Sequence, residues 1–433
     1  MVTTELKGVY IKSRKGKPQE FASASMKEQD SYLVSMQQSR LSESIVCVEV
    51  GEKVLEGTVI GKPNGKYGAF VYSPVSGKVA SIVQKLSIYG KLVDHILIIA
   101  DKKNKTLDFP NIADLSKKSI LERLMISGII DSAGYPDYVK YIRKPVAKAR
   151  LIISCIDNDP FLSAEEVNLR ENVEACVKGA NLYMTLVGVS KCDFLFSVNQ
   201  ASAIKALKKY LKENKISNIS IKITPYIYPL SINEISKIYS GKVLDSAGRF
   251  YSGLYIETGI IAKKLFDAVY LNKPVVSRIM TIAGTGFIRK ANFEVKVGTS
   301  LQAILDFVGV NVTNSKYKMI CGGAMSGVAE ESPEGTTTSS LEGVLFLTNS
   351  EFSGDEEMPC IRCGKCVDVC PARIMPYKIE ELLLSGDYDI ASRFGLSCCT
   401  ECGACSYICP SKRYLAQRLI DGKDKIREWG GRK

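Results

Sequence analysis

Two cysteine cassettes near the end of the chain restrict its fold more than any other feature. Each follows the pattern C-x2-C-x2-C-x3-C-P, first as "CIRCGKCVDVCP" at residues 360–371 and again as "CTECGACSYICP" at residues 399–410. This is the spacing of bacterial ferredoxins, in which three cysteines of a cassette bind one iron–sulfur cluster and the fourth binds the other cluster. The pattern therefore predicts a module that holds two 4Fe-4S clusters.

This crossed arrangement assigns a set of four ligands to each cluster. Cluster 1 is predicted to use three cysteines of the first cassette and the last of the second: Cys360, Cys363, Cys366 and Cys409. Cluster 2 is predicted to use the remaining four: Cys399, Cys402, Cys405 and Cys370. Gly364 and Gly403 suit a backbone that wraps tightly around sulfur. A zinc site is the alternative for such spacing, and Cys398, which falls outside the register, is expected to be a packing residue.

Composition and charge bound the class of protein. The chain has 433 residues, no run of 18 apolar residues and no apolar leader, so we expect several domains in the cytoplasm without a membrane span. In that compartment cysteines bind metals more often than they form disulfides. The net charge of +12 suits an acidic protein partner or an anionic membrane face, and nucleic acid is disfavoured because no recognition motif accompanies the lysines.

Residues 1–110 are expected to contain a barrel-sandwich hybrid. Residues 45–100 alternate apolar and polar positions between glycine-rich turns, which is typical of short strands. Phrases such as "SPVSGKV" look like the half-barrels of biotinyl and lipoyl carrier domains. Lys78 does not lie in the hairpin context of a carrier lysine, so the segment is interpreted as structural.

Residues 111–254 alternate candidate helices and strands, which predicts an α/β domain with a largely parallel sheet. Ser163, with Glu166 three residues later, is the expected N-cap of the helix that follows the strand "KARLIISCI". Asp157 and Asp159 follow that strand directly, at the end where ligands bind in such sheets. They either contact a polar edge of a cofactor or cap the next turn.

The remaining segments complete a multidomain protein of α/β and α+β parts. Residues 255–312 resemble a ubiquitin-like SLBB domain, with Thr299 or Ser300 as the N-cap of its helix. Residues 313–350 are expected to return to the α/β core. Residues 351–415 form the ferredoxin-like module and residues 416–433 a basic tail.

This order of parts resembles the C subunit of the Rnf electron-transport complex, the RnfC family, over nearly the whole chain. The phrases that carry the resemblance are "SPVSGKV", "DNDPFL", "CGGAMSG" and the two cassettes, of which the cassettes are the most specific. The resemblance implies electron transfer, with FMN and NADH as further candidate cofactors. It implies an acidic ferredoxin, a flavoprotein, a reductase or Rnf-type membrane subunits as partners, the last of which would place the chain at the cytoplasmic membrane face.

The family's flavin and NADH site uses a glycine-rich loop of the type G-G-A-G-F-P-T, which here reads "DSAGYPD". Asp131 stands where a glycine would be, and its charge would repel a phosphate. The acidic phrase N-G-A-E-C-E-P-Y becomes "SCIDNDPF", and Y-P-x-G-G-E becomes "YPLSINE". By resemblance the candidate cofactor-binding residues are Gly134, Pro136, Lys140, Asp157 and Asp159.

Four functions remain open at the level of the sequence. The leading one is a relay through two 4Fe-4S clusters between a flavin, thiol or protein donor and a protein acceptor. The alternatives are an FMN-bearing, NADH-oxidising subunit of an Rnf-type complex, an electron donor to D-proline reductase, and a non-catalytic assembly protein. Cys321, which opens "CGGAMSG", is a candidate redox thiol if backbone amides lower its pKa, or else a small buried packing residue.

Overall fold

The computed structural model describes residues 6–16, 20, 22–142, 149–230, 232–240, 253–310, 317–348, 351 and 356–430, without the side chains of residues 66, 232–233, 240 and 428–430. Within these residues the strands form four sheets, and residues 356–430 add a helical module. The architecture is a mixture of α/β and α+β parts, as the sequence predicts.

The barrel consists of two small antiparallel sheets that enclose one apolar core. The short strand β1 (Ala24–Ser25) precedes it and pairs elsewhere. One sheet has the order β2-β8-β7-β4 and the other β3-β5-β6. The strands are β2 (Ser31–Ser35), β3 (Ser44–Val46), β4 (Lys53–Val54), β5 (Val59–Pro63), β6 (Val71–Tyr72), β7 (Gly77–Leu86) and β8 (Leu92–Ala100). Alternate residues such as Val34, Ile96 and Ile98 are fully buried. Lys78 lies within β7 and not at a hairpin tip.

The α/β domain is built on a four-stranded parallel sheet of order β11-β10-β9-β12. Its strands are β9 (Arg150–Ser154), β10 (Cys192–Ser197), β11 (Ile219–Thr224) and β12 (Leu254–Thr258). Its helices are α1 (Lys117–Ile126), α2 (Ala164–Glu171), α3 (Val173–Val187), α4 (Ala201–Glu213), α5 (Ile232–Ser240) and α6 (Gly259–Tyr270). The domain thus continues past the boundary expected at residue 254, because β12 pairs with β9 and buries Glu257 at its end.

A six-stranded sheet of order β1-β14-β13-β17-β15-β16 follows. Besides β1, its strands are the hairpin of β13 (Ser277–Ala283) and β14 (Ala291–Lys296), followed by β15 (Tyr317–Cys321), β16 (Val328–Glu330) and β17 (Gly343–Thr348). Helix α7 (Leu301–Val308) lies between β14 and β15 in the chain. Ser300 caps α7 by accepting the N–H of Ala303 at 3.1 Å. The hairpin and helix fit a ubiquitin-like unit, and its assignment as an SLBB domain stays a prediction.

The segment expected to return to the α/β core belongs mostly to this sheet. Strand β17 pairs in parallel with β13, and β15 pairs antiparallel with β17. An unpaired strand edge is a template for pairing with another strand, and β17 pairs with the edge of β13 that β14 leaves open. Contacts back to the α/β domain include the N–H of Met325, which donates to Asp159, and the carbonyl oxygen of Ser339, which accepts a hydrogen bond from Lys264.

The cluster module contains five short or medium helices. These are α8 (Lys365–Asp368), α9 (Pro376–Leu384), α10 (Tyr388–Arg393), α11 (Ala404–Ile408) and α12 (Leu415–Gly430). Within the described residues, the segment expected as a basic tail belongs to the helix α12. It buries Leu415 and Leu419, and Arg418 pairs with Glu357 and Glu380. The positive charge of Arg418 is therefore compensated by carboxylates of the same module.

Within the described residues, no helix has the length and apolar character needed to cross a membrane.

Candidate electron-transfer site

The two cassettes adopt the same backbone conformation around their cysteines. Arg362 and Glu401 have positive φ angles of 54° and 59°, and Gly364 and Gly403 have φ angles of 78° and 75°. The N–H of Arg362 points at the sulfur of Cys360 at 3.4 Å, and the N–H of Glu401 points at the sulfur of Cys399 at the same distance. N–H groups aimed at sulfur stabilise the negative charge of a bound cluster.

The thiols are arranged in two groups that cross the cassettes. A cavity is lined by the four thiols predicted for cluster 1: Cys360, Cys363, Cys366 and Cys409. In the second group Cys405 interacts electrostatically with the other three thiols predicted for cluster 2: Cys399, Cys402 and Cys370. Each cassette therefore places its last cysteine with the first three of the other.

These residues fit two 4Fe-4S clusters. Among the described residues, no three or more His, Cys, Asp or Glu side chains converge on one metal ion. The thiols of a cubane site need not converge in this way, because each binds a different iron. A bound 4Fe-4S cluster accepts and releases one electron at a time. Cys398 packs against the apolar core of the module, in agreement with the role expected for it.

The second cassette is docked on the α/β domain. The hydroxyl of Tyr228 donates to the carbonyl oxygen of Cys402 at 2.5 Å. A Cβ atom on Gly403 would overlap the carbonyl oxygen of Met325, so only glycine allows this approach. Ala404 is fully buried in the same contact, together with Val9 of the N-terminal segment. Gly364, the equivalent of Gly403 in the first cassette, has nothing within 4 Å of such a Cβ.

Asp157 and Asp159 are both buried and both bind backbone N–H groups of the chain itself. The carboxylate of Asp157 accepts the N–H groups of Glu165 and Glu166 at 2.9 and 3.0 Å. That of Asp159 accepts Phe161 N–H at 2.9 Å and Met325 N–H at 3.1 Å. Burial raises the pKa of Asp159 to about 6, although the two N–H groups oppose the shift. Of the two roles considered for this pair, the described contacts favour capping.

The expected capping box at Ser163 is not formed. Asp157 takes the N-terminal N–H groups of α2, and the hydroxyl of Ser163 accepts a hydrogen bond from Asn292 at 3.0 Å. Glu166 instead accepts the hydroxyl of Ser202 at 2.6 Å. A buried carboxylate is a stronger acceptor than a hydroxyl, which explains why the aspartate replaces the serine at this helix end.

Lys15 is a site residue that sequence reasoning missed. Its side chain is 1% exposed, and its ammonium donates to the carbonyl oxygen of Asp157 at 2.9 Å. In the sequence it lies in "IKSRKGKP", which reads as a solvated basic run. Nothing in that run distinguishes the buried lysine from its neighbours.

The loop that corresponds to the glycine-rich phrase folds around its own carboxylate. Asp131 accepts the N–H groups of Ala133 and Tyr135, both at 2.9 Å. Gly134 has a φ angle of 87°, and its carbonyl oxygen accepts the hydroxyl of Ser39 at 2.6 Å. Pro136 forms a bridge to Ile130 and precedes the 3-10 helix Asp137–Lys140.

Lys140 is surrounded by three carboxylates. Its ammonium lies 3.3 Å from Asp131, 3.0 Å from Asp137 and 2.6 Å from Glu257. Burial alone would lower the pKa of Lys140, but the three acids raise it well above its ordinary value. Burial raises the pKa of Glu257, and the neighbouring Asp137 adds to that effect.

Three family models match separate parts of the chain. Residues 4–103 match the family "RnfC Barrel sandwich hybrid domain", residues 124–244 the "Nuo51 FMN-binding domain", and residues 354–410 the "4Fe-4S dicluster domain". The chain is 27% identical, over 83% of its length and 71% of the relative's, to the C subunit of the ion-translocating oxidoreductase complex of Rhodobacter capsulatus. It is 28% identical, over 77% of its length and 74% of the relative's, to the C subunit of the proton-translocating ferredoxin:NAD(+) oxidoreductase complex of Clostridium ljungdahlii.

The chain is a homologue of the C subunit of the Rnf complex. A further relative is the C subunit of the Na(+)-translocating ferredoxin:NAD(+) oxidoreductase complex of Acetobacterium woodii, at 26% identity over 77% of each chain. The fold is also similar to a chain of an NAD+-reducing [NiFe]-hydrogenase in the H2-reduced state, with a TM-score of 0.50 and 12% identity over 72% of this chain and 61% of that one.

These matches support the two 4Fe-4S clusters and make FMN the candidate cofactor of the α/β domain. The loop of this RnfC homologue does not fit the phosphate of FMN in its described conformation. The N–H groups that would bind a phosphate already bind Asp131, and Lys140 is already compensated by carboxylates.

Cys321 does not have the surroundings of a reactive thiol. It is 4% exposed at the end of β15, and burial raises its pKa far above the ordinary value. Its side chain packs in the apolar core of the six-stranded sheet. Because the thiolate is the nucleophile, the structure favours the packing role for Cys321.

The crossed ligand sets can be tested with pairs of substitutions. If the assignment holds, Cys363→Ala and Cys409→Ser remove the same cluster, so the double variant retains about four of about eight irons. The pair Cys363→Ala and Cys370→Ser removes both clusters and retains none. Iron and sulfide analysis of anaerobically purified protein measures this, with Cys398→Ser as a control that keeps both clusters. If the two double variants exchanged these results, the wiring would run within each cassette.

Glu165 predicts a pH dependence of stability. It is buried, it accepts the N–H of Ile260 at 3.0 Å, and burial raises its pKa to about 8. An acid with a raised folded pKa binds more protons in the folded state. Its contribution is therefore complete below the unfolded pKa and is lost as the pH rises toward 8, at a limiting slope of about 1.4 kcal/mol per pH unit.

Glu165→Gln keeps the acceptor and removes the titration. We expect its melting temperature to fall less than that of the wild type between pH 6 and pH 9 under anaerobic conditions. Glu213→Gln, at an exposed position near the end of α4, is the control. Equal falls for the wild type and Glu165→Gln would show that Glu165 does not titrate in this range.

Proposed function

We propose that this chain relays electrons, by way of two 4Fe-4S clusters, between a donor on the side of the α/β domain and an acidic protein acceptor at the first cassette. The observation that carries this order is the unequal packing of two equivalent glycines. Gly403 lies against the carbonyl oxygen of Met325, whose N–H donates to Asp159, and Gly364 faces open space. Cluster 2 would therefore lie toward the α/β domain, and cluster 1 toward solvent.

The first cassette has the features of a docking surface for a redox partner. Cys360 and Cys363 are exposed, and the neighbouring Met358 and Ile361 are 60% and 67% exposed. Exposed apolar side chains beside a redox centre mark a contact surface. They lie next to exposed basic side chains, which attract an acidic partner electrostatically.

The charge of this surface favours a ferredoxin-like carrier. Arg362 and Lys365 are exposed within the first cassette, with Asp368 as the nearest exposed acid in the sequence. Two relatives are named as subunits of ferredoxin:NAD(+) oxidoreductase complexes. A small acidic ferredoxin is therefore the partner class that this face suits best.

A second candidate function differs only on the donor side. The match of residues 124–244 to the Nuo51 FMN-binding domain favours a flavin-bearing, NADH-oxidising subunit of an Rnf-type complex. The occupied loop at Asp131 weighs against it. The exposed first cassette serves the acceptor in either case.

The proposed order predicts that the two clusters differ in access to solvent. Gly403→Ala and Gly364→Ala impose the same left-handed strain, but only the first forces the second cassette away from Met325. We expect a ferrous chelator to remove the iron of cluster 1 first in the wild type. Gly403→Ala should make the slow half of the iron labile, and Gly364→Ala should leave it slow. If both variants released iron alike, the docking would not protect cluster 2.

The acceptor surface can be tested by reversing its charge. Arg362→Glu with Lys365→Glu should slow electron exchange with a reduced acidic ferredoxin by roughly tenfold at low salt, and less at high salt, because steering depends on ionic strength. Lys191→Glu with Lys208→Glu changes the net charge equally at exposed positions of the α/β domain. Stopped-flow spectroscopy on variants of equal iron content measures the rates. Equal slowing by both pairs would place the partner elsewhere.

A further inference from the structure

The loop of residues 131–136 has backbone N–H groups that could bind an anion, and they already bind a carboxylate of the same loop. Two N–H groups, those of Ala133 and Tyr135, converge on one oxygen of Asp131. The backbone closes around them, since Asp131 N–H donates to the carbonyl oxygen of Tyr135 at 2.8 Å and Gly134 N–H to that of Asp131 at 3.0 Å. Backbone N–H groups that converge in a loop with a left-handed residue resemble the concavities that bind phosphates in other proteins.

The second oxygen of Asp131 contacts Lys140, the cation that could otherwise bind a phosphate in this loop. It lies 3.3 Å from the ammonium of Lys140, whose side chain is 16% exposed. Asp137 and Glu257 also contact this ammonium, so three acids face one base in a buried cluster. An additional dianion would meet net repulsion there, and charges interact strongly where water is excluded.

The acids are themselves held in place. The hydroxyl of Tyr183 donates to Asp137 at 2.5 Å, and that of Tyr141 donates to Glu257. Asp131, Asp137 and Glu257 are 8%, 0% and 2% exposed. The cluster is therefore a packed part of the domain and not a set of side chains awaiting a ligand.

The other two altered phrases show the same pattern. Asp157 of "SCIDNDPF" binds the first N–H groups of α2. Glu234 of "YPLSINE" is fully buried, and its carboxylate accepts the N–H of Lys7 at 3.0 Å. The preceding Ser231 lies outside the described residues. Each phrase thus has its acid engaged with the chain itself.

We infer that the carboxylate of Asp131 occupies the anion position of the glycine-rich loop, so that Asp131 determines whether the domain can hold the phosphate of a flavin mononucleotide. In this chain the loop is self-occupied, and FMN gains no affinity from its phosphate. The inference goes beyond the proposed relay, because it concerns the donor side and holds whatever protein docks at the first cassette.

The first test uses the protein without any substitution. FMN and riboflavin differ only in the phosphate, and their binding to the anaerobic holoprotein is measured by the quenching of flavin fluorescence. We expect equal affinities for the two, and no FMN retained through purification. A clear preference for FMN over riboflavin, or about one FMN bound per chain as purified, would overturn the inference.

The second test opens the loop. Asp131→Gly removes the carboxylate and should bind FMN roughly tenfold more tightly than the wild type, a difference of about 1.4 kcal/mol, with riboflavin unchanged. Asp131→Asn keeps an oxygen for the loop N–H groups and should gain less. Ser132→Gly adds a glycine but keeps the carboxylate, so it should gain nothing.

Iron content and melting temperature show whether each variant is folded. If a folded Asp131→Gly gained no affinity for FMN, or if Ser132→Gly gained as much, Asp131 would not be the determinant. If Asp131→Gly did not fold, a gain for Asp131→Asn over the wild type would support the inference, and no gain would contradict it. None of these outcomes depends on electron exchange at the first cassette, so failure here is distinguishable from failure of the proposed relay.

Discussion

The contact between Gly403 and the carbonyl oxygen of Met325 fixes where the cluster module sits on the rest of the molecule. Met325 is positioned by Asp159, whose carboxylate accepts its N–H at 3.1 Å. Tyr228 adds a hydrogen bond to Cys402 from the end of the parallel sheet. Ala404 packs with Val9 in an apolar contact, and Arg40 of the barrel pairs with Glu401 and Asp424, so polar and apolar side chains reinforce this backbone contact. A Cβ atom at Gly403 would lie 2.1 Å from the carbonyl oxygen of Met325, so any other residue at this position requires a backbone shift.

Two cassettes with the same cysteine spacing have different environments at this contact. Their cysteine spacing, their left-handed residues and their N–H contacts to sulfur are the same. What differs is the surface outside each cassette, which is protein at Gly403 and solvent at Gly364. Cluster potentials depend on burial and on hydrogen bonds to sulfur. The N–H contacts of Arg362 and Glu401 to sulfur match, so burial is one respect in which the surroundings of the two clusters differ.

The sequence predicts the parts of this protein that rest on local rules. Cysteine spacing indicates the two clusters, strand and helix periodicity indicates the α/β domain, and Ser300 is the cap of α7 as one of two expected candidates. Local rules fail where a distant group competes. Ser163 has the pattern of an N-cap, but Asp157 is the stronger acceptor and takes the helix end.

Segments whose partners lie far away in the sequence are also beyond local rules. The basic residues 416–433 read as a tail, because Glu357 and Glu380, which bind Arg418, are distant along the chain. Strand β17 joins β13 and not the α/β sheet, since sheet edges are a property of the folded chain. Lys15 looks like any solvated lysine until Asp157 is brought to it. Domain boundaries are hard to predict for the same reason, because β12 belongs to the α/β domain only through its pairing with the distant strand β9.

The departures from the family's loop are best understood as one change. N–H groups that converge in a buried loop need an acceptor whether or not a ligand is present, since an unsatisfied buried donor costs about 1–3 kcal/mol. A loop without a phosphate therefore needs an internal anion, and Asp131 supplies it. That anion needs a cation, which Lys140 supplies, and Tyr183 satisfies the neighbouring Asp137. The contacts of these residues depend on one another, so the loop is a stable alternative structure and not a damaged nucleotide site.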